Sequence, residues 1–194
     1  AIPEATPAAP FGTTGVTTIS GRREDGDYYV AVYPYPGGYG ASARGDGLVN
    51  GTLPSSLAGF MSVEMSEHRY PVRFEHLSIR EDSGGPGEHR GGCGTQYSIT
   101  ALDDCLVSVL GDRVDHQPFG VSGGASAQPN HVAFTRDGET WIPPMRSKAE
   151  KIPLSAGDTV HLRSPGGGGF GDPTLRAVSA IERDLDLGFI SEQS

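Results

Sequence analysis

Charge is scarce in this chain, and so are cysteine, tryptophan and long apolar runs. Charged residues make up 20% of the 194, and the balance is acidic, with 15 basic against 24 acidic side chains and a formal charge of −9. An acidic surface repels a phosphate backbone and an anionic bilayer, which argues against nucleic acid or a membrane as partner. No run of about 18 apolar residues is there to cross a bilayer as a helix, and no basic-then-apolar leader opens the sequence, so a cytoplasmic protein is expected. Cys93 and Cys105 are the two cysteines. They are too few for a disulfide scaffold and lack the CxxC spacing of zinc or redox sites, so both are expected as reduced, buried thiols. The sequence opens at Ala1, which leaves trimming or processing open.

Glycine is what the chain has in excess, 29 residues with 15 prolines beside them. That composition suits many short strands and tight turns. The expected fold is mainly β (α+β): several short antiparallel strands with glycine-rich turns and one C-terminal helix. Residues 1–12, with their alanine and proline run, read as an extended arm, and 13–194 as a single β-rich domain.

Along that domain, "GVTTIS" and "DYYVAVYPY" flank the polar "GRREDG" as a hairpin. The loop-rich stretch after them contains Arg44-Gly45-Asp46, read as a plain surface turn. In "YPVRFEHLSIR" the apolar residues Val72 and Phe74 sit on one parity and Leu77 and Ile79 on the other, which predicts a bulge near Glu75 and His76. "TQYSITA" and "CLVSVLG" are two further strands. "HVAFT" and "TWIPP" form a hairpin with Asp137-Gly138 at its tip, and "DTVHLR" is the last strand. Asp172-Pro173 then reads as an N-cap followed by proline at the first helical position, opening a helix over about 173–187. Leu175, Val178, Ile181 and Leu185 form its apolar stripe, and Gly188 is its stop.

Three motifs invite chemistry. Asp82-Ser83-Gly84-Gly85-Pro86 matches a trypsin-like nucleophile loop, but the histidines before it, His68 and His76, lie just upstream of it, and Asp25, Asp27 and Asp46 precede both, against that family's order. Ser83 is therefore expected to be a turn residue whose hydroxyl serves backbone amides, a convergent triad with His116 or His131 being the alternative. Asp112 to His116 brings two carboxylates and an imidazole close in sequence, as a metal site or as a loop salt-bridge cluster. "SPGGGGFG" before the helix invites phosphate, yet no Lys-Ser/Thr follows it and Asp172 puts an acid there, so glycine for close backbone packing is the preferred reading.

The order of these stretches says more than any one of them. "RYPVRFEHLSIREDSGGPGEHRGGCGTQY", "GDR" after a strand and "LSAGDTVHLRSPGGGGFGDP" before a terminal helix resemble the C-terminal part of hydantoinase B/oxoprolinase subunits, as does "GGYGASARGDG". Many members carry a histidine in the segment after that last stretch, and "LVNGTLPSSLAGFMSVE" has none. Family subunits are also far longer, this chain corresponding to roughly the last third. The resemblance implies a multi-subunit, ATP-dependent enzyme. A hydantoinase A-like partner would bind ATP with Mg and phosphorylate a carbonyl oxygen, and the N-terminal part of a hydantoinase B-like subunit would carry a divalent metal, with no cofactor held by this chain.

The implied reaction is opening of a cyclic amide or, in the related acetone and acetophenone carboxylases, joining of bicarbonate to a ketone; a non-catalytic assembly module is the alternative. The chain is not expected to act alone. Within it Arg90 and Arg113 are the candidates to reach an anionic intermediate, a guanidinium gripping phosphate or carboxylate with two parallel bonds, and Asp82 and Asp112 would orient them. The competing reading has these pairs tying loops together.

Overall fold

The structure is a computed structural model that describes residues 2, 5–23, 25–52 and 61–192. Two antiparallel sheets carry the core. The first is built from β1 (Gly15–Arg22), β2 (Tyr28–Tyr35), β5 (Cys105–Leu110) and β8 (Lys148–Leu154), in the order β2-β1-β5-β8. The second holds β3 (Val72–Ile79), β4 (Thr95–Ala101), β6 (His131–Arg136), β7 (Glu139–Trp141) and β9 (Thr159–Arg163), in the order β3-β4-β9-β6-β7. This is the mainly β fold expected.

Alternation explains which faces meet. Ile19, Ala31, Tyr33 and Val107 from the first sheet and Val72, Ile99, Phe134 and Leu162 from the second join one buried cluster. Rings link the layers: Tyr33 meets Phe74 edge-on at 5.4 Å and Tyr35 meets Tyr97 at 6.3 Å. Burial pushes the Tyr33 and Tyr35 phenols up to about 12. The Tyr35 hydroxyl donates to the Leu110 carbonyl at 3.0 Å, so its polar tip is satisfied inside the core.

The bulge is where the alternation required it. Phe74 pairs with Ile99 and His76 with Ser98, leaving Glu75 as the extra residue. The Asp137-Gly138 hairpin is equally direct: Arg136 pairs with Glu139, and both tip residues have positive φ, 51° and 80°, as a tight two-residue turn demands.

Two elements lay outside the sequence reading. A seven-residue helix, α1 (Val63–Arg69), is capped by Ser62, whose hydroxyl accepts from the Met65 amide. Strand β8 is broken by a register shift opposite Val107 and Val109, with Lys151 at φ 52°.

A third body of structure joins the sheets. The chain from Gly166 to Gly169 runs without bonds to itself, and its four amides donate to three segments in turn: Gly166 to Gln128, Gly167 to Gly92, Gly168 to Ala9 and Gly169 back to the first at Ala125. Its carbonyls accept from Gly85, Ala41 and Val121 in turn. A strand whose hydrogen bonds rotate through three neighbours as the residue number advances is the packing of extended three-residue-per-turn chains. Only glycine lets the backbones come this close: a Cβ on Gly91 would lie 1.7 Å from the Gly167 carbonyl oxygen. The first segment belongs to this array too. Ala8, Ala9 and Phe11 are buried and donate to Ala41, Phe119 and Gly38, so the stretch expected as an extended arm packs into the body at these residues.

Candidate functional site

Ser83 is fully buried, donates to the Arg80 carbonyl and accepts from the Gly94 amide at 2.9 Å. It is a turn residue, held as its hydroxyl chemistry allows. Its loop, the glycine array and the C-terminal segment enclose a cavity of 450 Å³ lined by Asp82, Pro86, Arg90, Gln128, Arg176 and Asp184 among others.

The C-terminal segment begins as expected and then departs. Asp172 caps a 3-10 turn, Pro173–Leu175, its carboxylate accepting from the Thr174 amide at 2.8 Å, and the helix proper, α2 (Val178–Asp186), starts only after Arg176 and Ala177. Gly188, at φ 66°, ends it. The expected apolar stripe does not face the core: Leu175 and Val178 are 65% and 70% exposed, while Asp184 is fully buried. The helix is turned so that its carboxylate meets Arg90, which pairs a charge that burial would otherwise leave uncompensated.

Arg90 is the centre of this contact. Its Nε and Nη2 donate to Asp184 at 3.0 and 3.3 Å, its Nη1 to the Gly91 carbonyl, and its guanidinium lies 4.8 Å from the Phe189 ring centre. The carboxylate that orients Arg90 is thus Asp184. Asp82, at φ 57°, accepts from the Ser191 amide at 2.9 Å and donates its own amide to Phe189, pinning the tail beside the same cavity.

Arg176 extends the network. It donates to Asp184 at 2.6 Å and, with both terminal nitrogens, to Asp46 at 2.8 and 2.9 Å. Asp46 also accepts from Arg183 and from the Arg90 amide. Burial pushes the Asp46 carboxyl up, but the Arg176 bond and charge and the Arg90 contacts outweigh it and hold it below the usual aspartate range. Asp46 is therefore no plain surface turn, and its partner lies 130 residues away. The sequence offers no local signal for that pair.

Arg113 and Asp112 line a different groove, of 390 Å³, with Arg146 and Lys148. Asp112 pairs with Lys148 at 3.2 Å, and Asp115 pairs with Arg146. Arg113, at φ 63°, passes over Gly12, where a Cβ would come within 3.0 Å of its Nε. The two carboxylates of the Asp112 to His116 stretch thus pair with separate cations. Among the described residues no group of three or more His, Cys, Asp or Glu side chains could hold a metal. The glycine run does not fit a nucleotide phosphate, because all four of its amides already donate to backbone carbonyls. Cys93 and Cys105 are free and buried, and burial pushes both thiols up, Cys105 to about 11. Among the described residues no helix is long and apolar enough to cross a membrane.

The fold is a β-sandwich joined to a glycine array and tied by Arg–Asp pairs, and its matches share one family. The chain belongs to the hydantoinase B/oxoprolinase family, whose model matches residues 1–173. It is 34% identical over 99% of its length to an uncharacterised protein of Methanocaldococcus jannaschii, covering 33% of that protein. The B-type subunit of a putative D-/L-hydantoinase of Pseudomonas sp. is 29% identical over 96% of this chain and 31% of its own length. The crystal structure of an ATP-dependent caprolactamase from Pseudomonas jessenii superposes with a TM-score of 0.84 at 25% identity, over 100% of this chain and 35% of that one. The chain spans about a third of the length of these relatives. Of the segment in which many members carry a histidine, residues 53–60 lie outside the described residues.

Proposed function

We propose that this chain is the C-terminal module of a B-type subunit in an ATP-dependent enzyme of the hydantoinase and 5-oxoprolinase kind, which opens a cyclic amide. The observation that carries the reading is the match along nearly the whole chain to a putative hydantoinase B-type subunit and to an ATP-dependent caprolactamase. The partners in this reading are a larger hydantoinase A-like ATP-binding subunit and the N-terminal part of a hydantoinase B-like subunit, together in the cytoplasm. ATP with Mg and the divalent metal belong to those partners; when bound there, they supply phosphoryl transfer and an activated water.

What this chain contributes is shape and one guanidinium. Arg90 and Asp82 fix the C-terminal segment on the glycine array. Arg113, half-buried beside Asp112, is the guanidinium we assign to an anionic group across the subunit boundary.

The test is turnover of the assembled enzyme on lactam and hydantoin rings, with ATP and with or without bicarbonate. Ring opening that needs both ATP and this chain is expected. Arg113→Gln should lower kcat about 100-fold at unchanged melting temperature if the guanidinium meets a developing anion. Unchanged turnover in that variant makes the module purely an assembly part, and bicarbonate-dependent consumption of a ketone instead moves the enzyme to carboxylation.

A further inference from the structure

The two sheets differ on their outer faces. That of the five-stranded sheet is polar and internally bonded: His161 is held between Ser98 at 2.8 Å and Thr135 at 2.9 Å, and Thr100 meets Thr159 at 2.9 Å. That of the four-stranded sheet is uncharged over three of its strands. Its register sets Val30, Ser20 and Leu106 in one rank, Val32, Thr18 and Ser108 in the next, and Pro34, Val16 and Leu110 in a third, with no charge among these nine; the fourth strand, β8, sets Lys148 beside Leu110 at the far edge. Val30, Val32 and Leu110 are 49%, 55% and 56% exposed. Single exposed apolar residues are ordinary, but a contiguous ranked face is the signature of a covered surface.

The sheet edges point to the same side. A free edge is a template for another strand, and three of the four are blunted. Strand β8 carries Lys148, Glu150, Lys151 and Pro153, β7 is three residues long, and β3 bears the bulge with Arg73, Glu75 and His76. Strand β2 runs for eight residues, Tyr-Tyr-Val-Ala-Val-Tyr-Pro-Tyr, without a charge, and its second edge pairs with no strand among the described residues. Its one blunting device is Pro34.

We propose that this face, with the open edge of β2, is the docking surface for the portion of a hydantoinase B-like polypeptide that lies outside the matched third, an apolar surface that adds an extended segment along β2. The proposal rests on the subunit reading given above. Chain length selects the occupant: the superposed region is 35% of the caprolactamase chain, so in that enzyme the same polypeptide carries a further body about twice the size of this module. A strand added along β2 supplies main-chain hydrogen bonds, and the ranks of Val16, Val30, Val32 and Leu110 supply the apolar area beside it.

The assembly isolated through this chain tests it, with Val30→Lys and Val32→Lys together against wild type and with Arg163→Glu, on the opposite outer face, as control. The readouts are native mass and amide exchange. Both valines are exposed, so the variant is expected to fold with the wild-type melting temperature. Wild type and Arg163→Glu should carry the hydantoinase B-like polypeptide and show slowed exchange over Tyr28–Tyr35, and the double variant should lose that polypeptide at least about 30-fold. Retention of it by the lysine variant overturns the docking proposal alone. A homodimer that forms through this face and is lost in the variant overturns it in favour of a second copy. If wild type carries no such polypeptide, the subunit reading fails and the docking proposal fails with it.

Discussion

Gly91→Ala is expected to abolish the native fold. The added methyl carbon would stand 1.7 Å from the Gly167 carbonyl oxygen and 2.8 Å from that of Gly168, both backbone atoms bonded elsewhere. Relief requires a shift of more than an ångström in a strand tied to Gly92, Ala9 and Ala125 by successive amides. Interiors do not yield that far without losing contacts on several sides, and the cost should exceed about 4 kcal/mol, a large share of a typical domain's stability. Gly26→Ala is the matched control. Its φ of 89° also favours glycine, but nothing lies within 4 Å of the added carbon, so about 1 kcal/mol is expected. Denaturant titration of the two variants decides it. A Gly91→Ala protein as stable as the control would show that the array is not close-packed as described.

That array also marks the boundary of what the sequence discloses. Strands with alternating or β-branched runs were legible, and so were the bulge at Glu75, the Asp137-Gly138 turn and the Asp172 cap, because each is set by neighbours within a few residues. The "SPGGGGFG" run could be read as close packing, but not what it packs against. Strand β8 was hidden because edge position fills it with Lys148, Glu150 and Lys151. Helix α1 escaped because seven residues hold too few turns to show a period. The terminal helix was legible as a helix, but not that its buried residue is Asp184, drawn in by an arginine 94 positions away. Of the candidate residues, Arg90 and Asp82 line one cavity and Arg113 and Asp112 another, a division that spacing does not reveal.

Asp184→Ala should cost about 3–5 kcal/mol, because it strands the almost wholly buried Arg90 and takes away one of the two carboxylates of Arg176. In a chain of this size that is a fall in melting temperature on the order of 10 °C. Replacing the pair with apolar residues, Arg90→Met with Asp184→Leu, removes both charges and should recover much of the loss, since Arg176 keeps Asp46. Acid probes the other half of the network. Because the folded-state Asp46 carboxyl is held below its usual range, its contribution is fully present above about pH 4 and is lost as pH falls through the lowered value, so Asp46→Asn should flatten the acid limb of stability. A cost under about 1 kcal/mol for Asp184→Ala, the value of an exposed pair, would contradict the burial and the role given to Arg90.

The central claim is that this chain works as the C-terminal third of a hydantoinase B-like subunit within a larger ATP-dependent enzyme. Native mass spectrometry of the protein isolated from its own source, with every co-isolated polypeptide identified, tests that claim most directly. The account predicts a heteromer containing a hydantoinase A-like ATP-binding chain and the longer, metal-bearing part of a hydantoinase B-like subunit. A monomer of 20.3 kDa that turns over substrate by itself would contradict it.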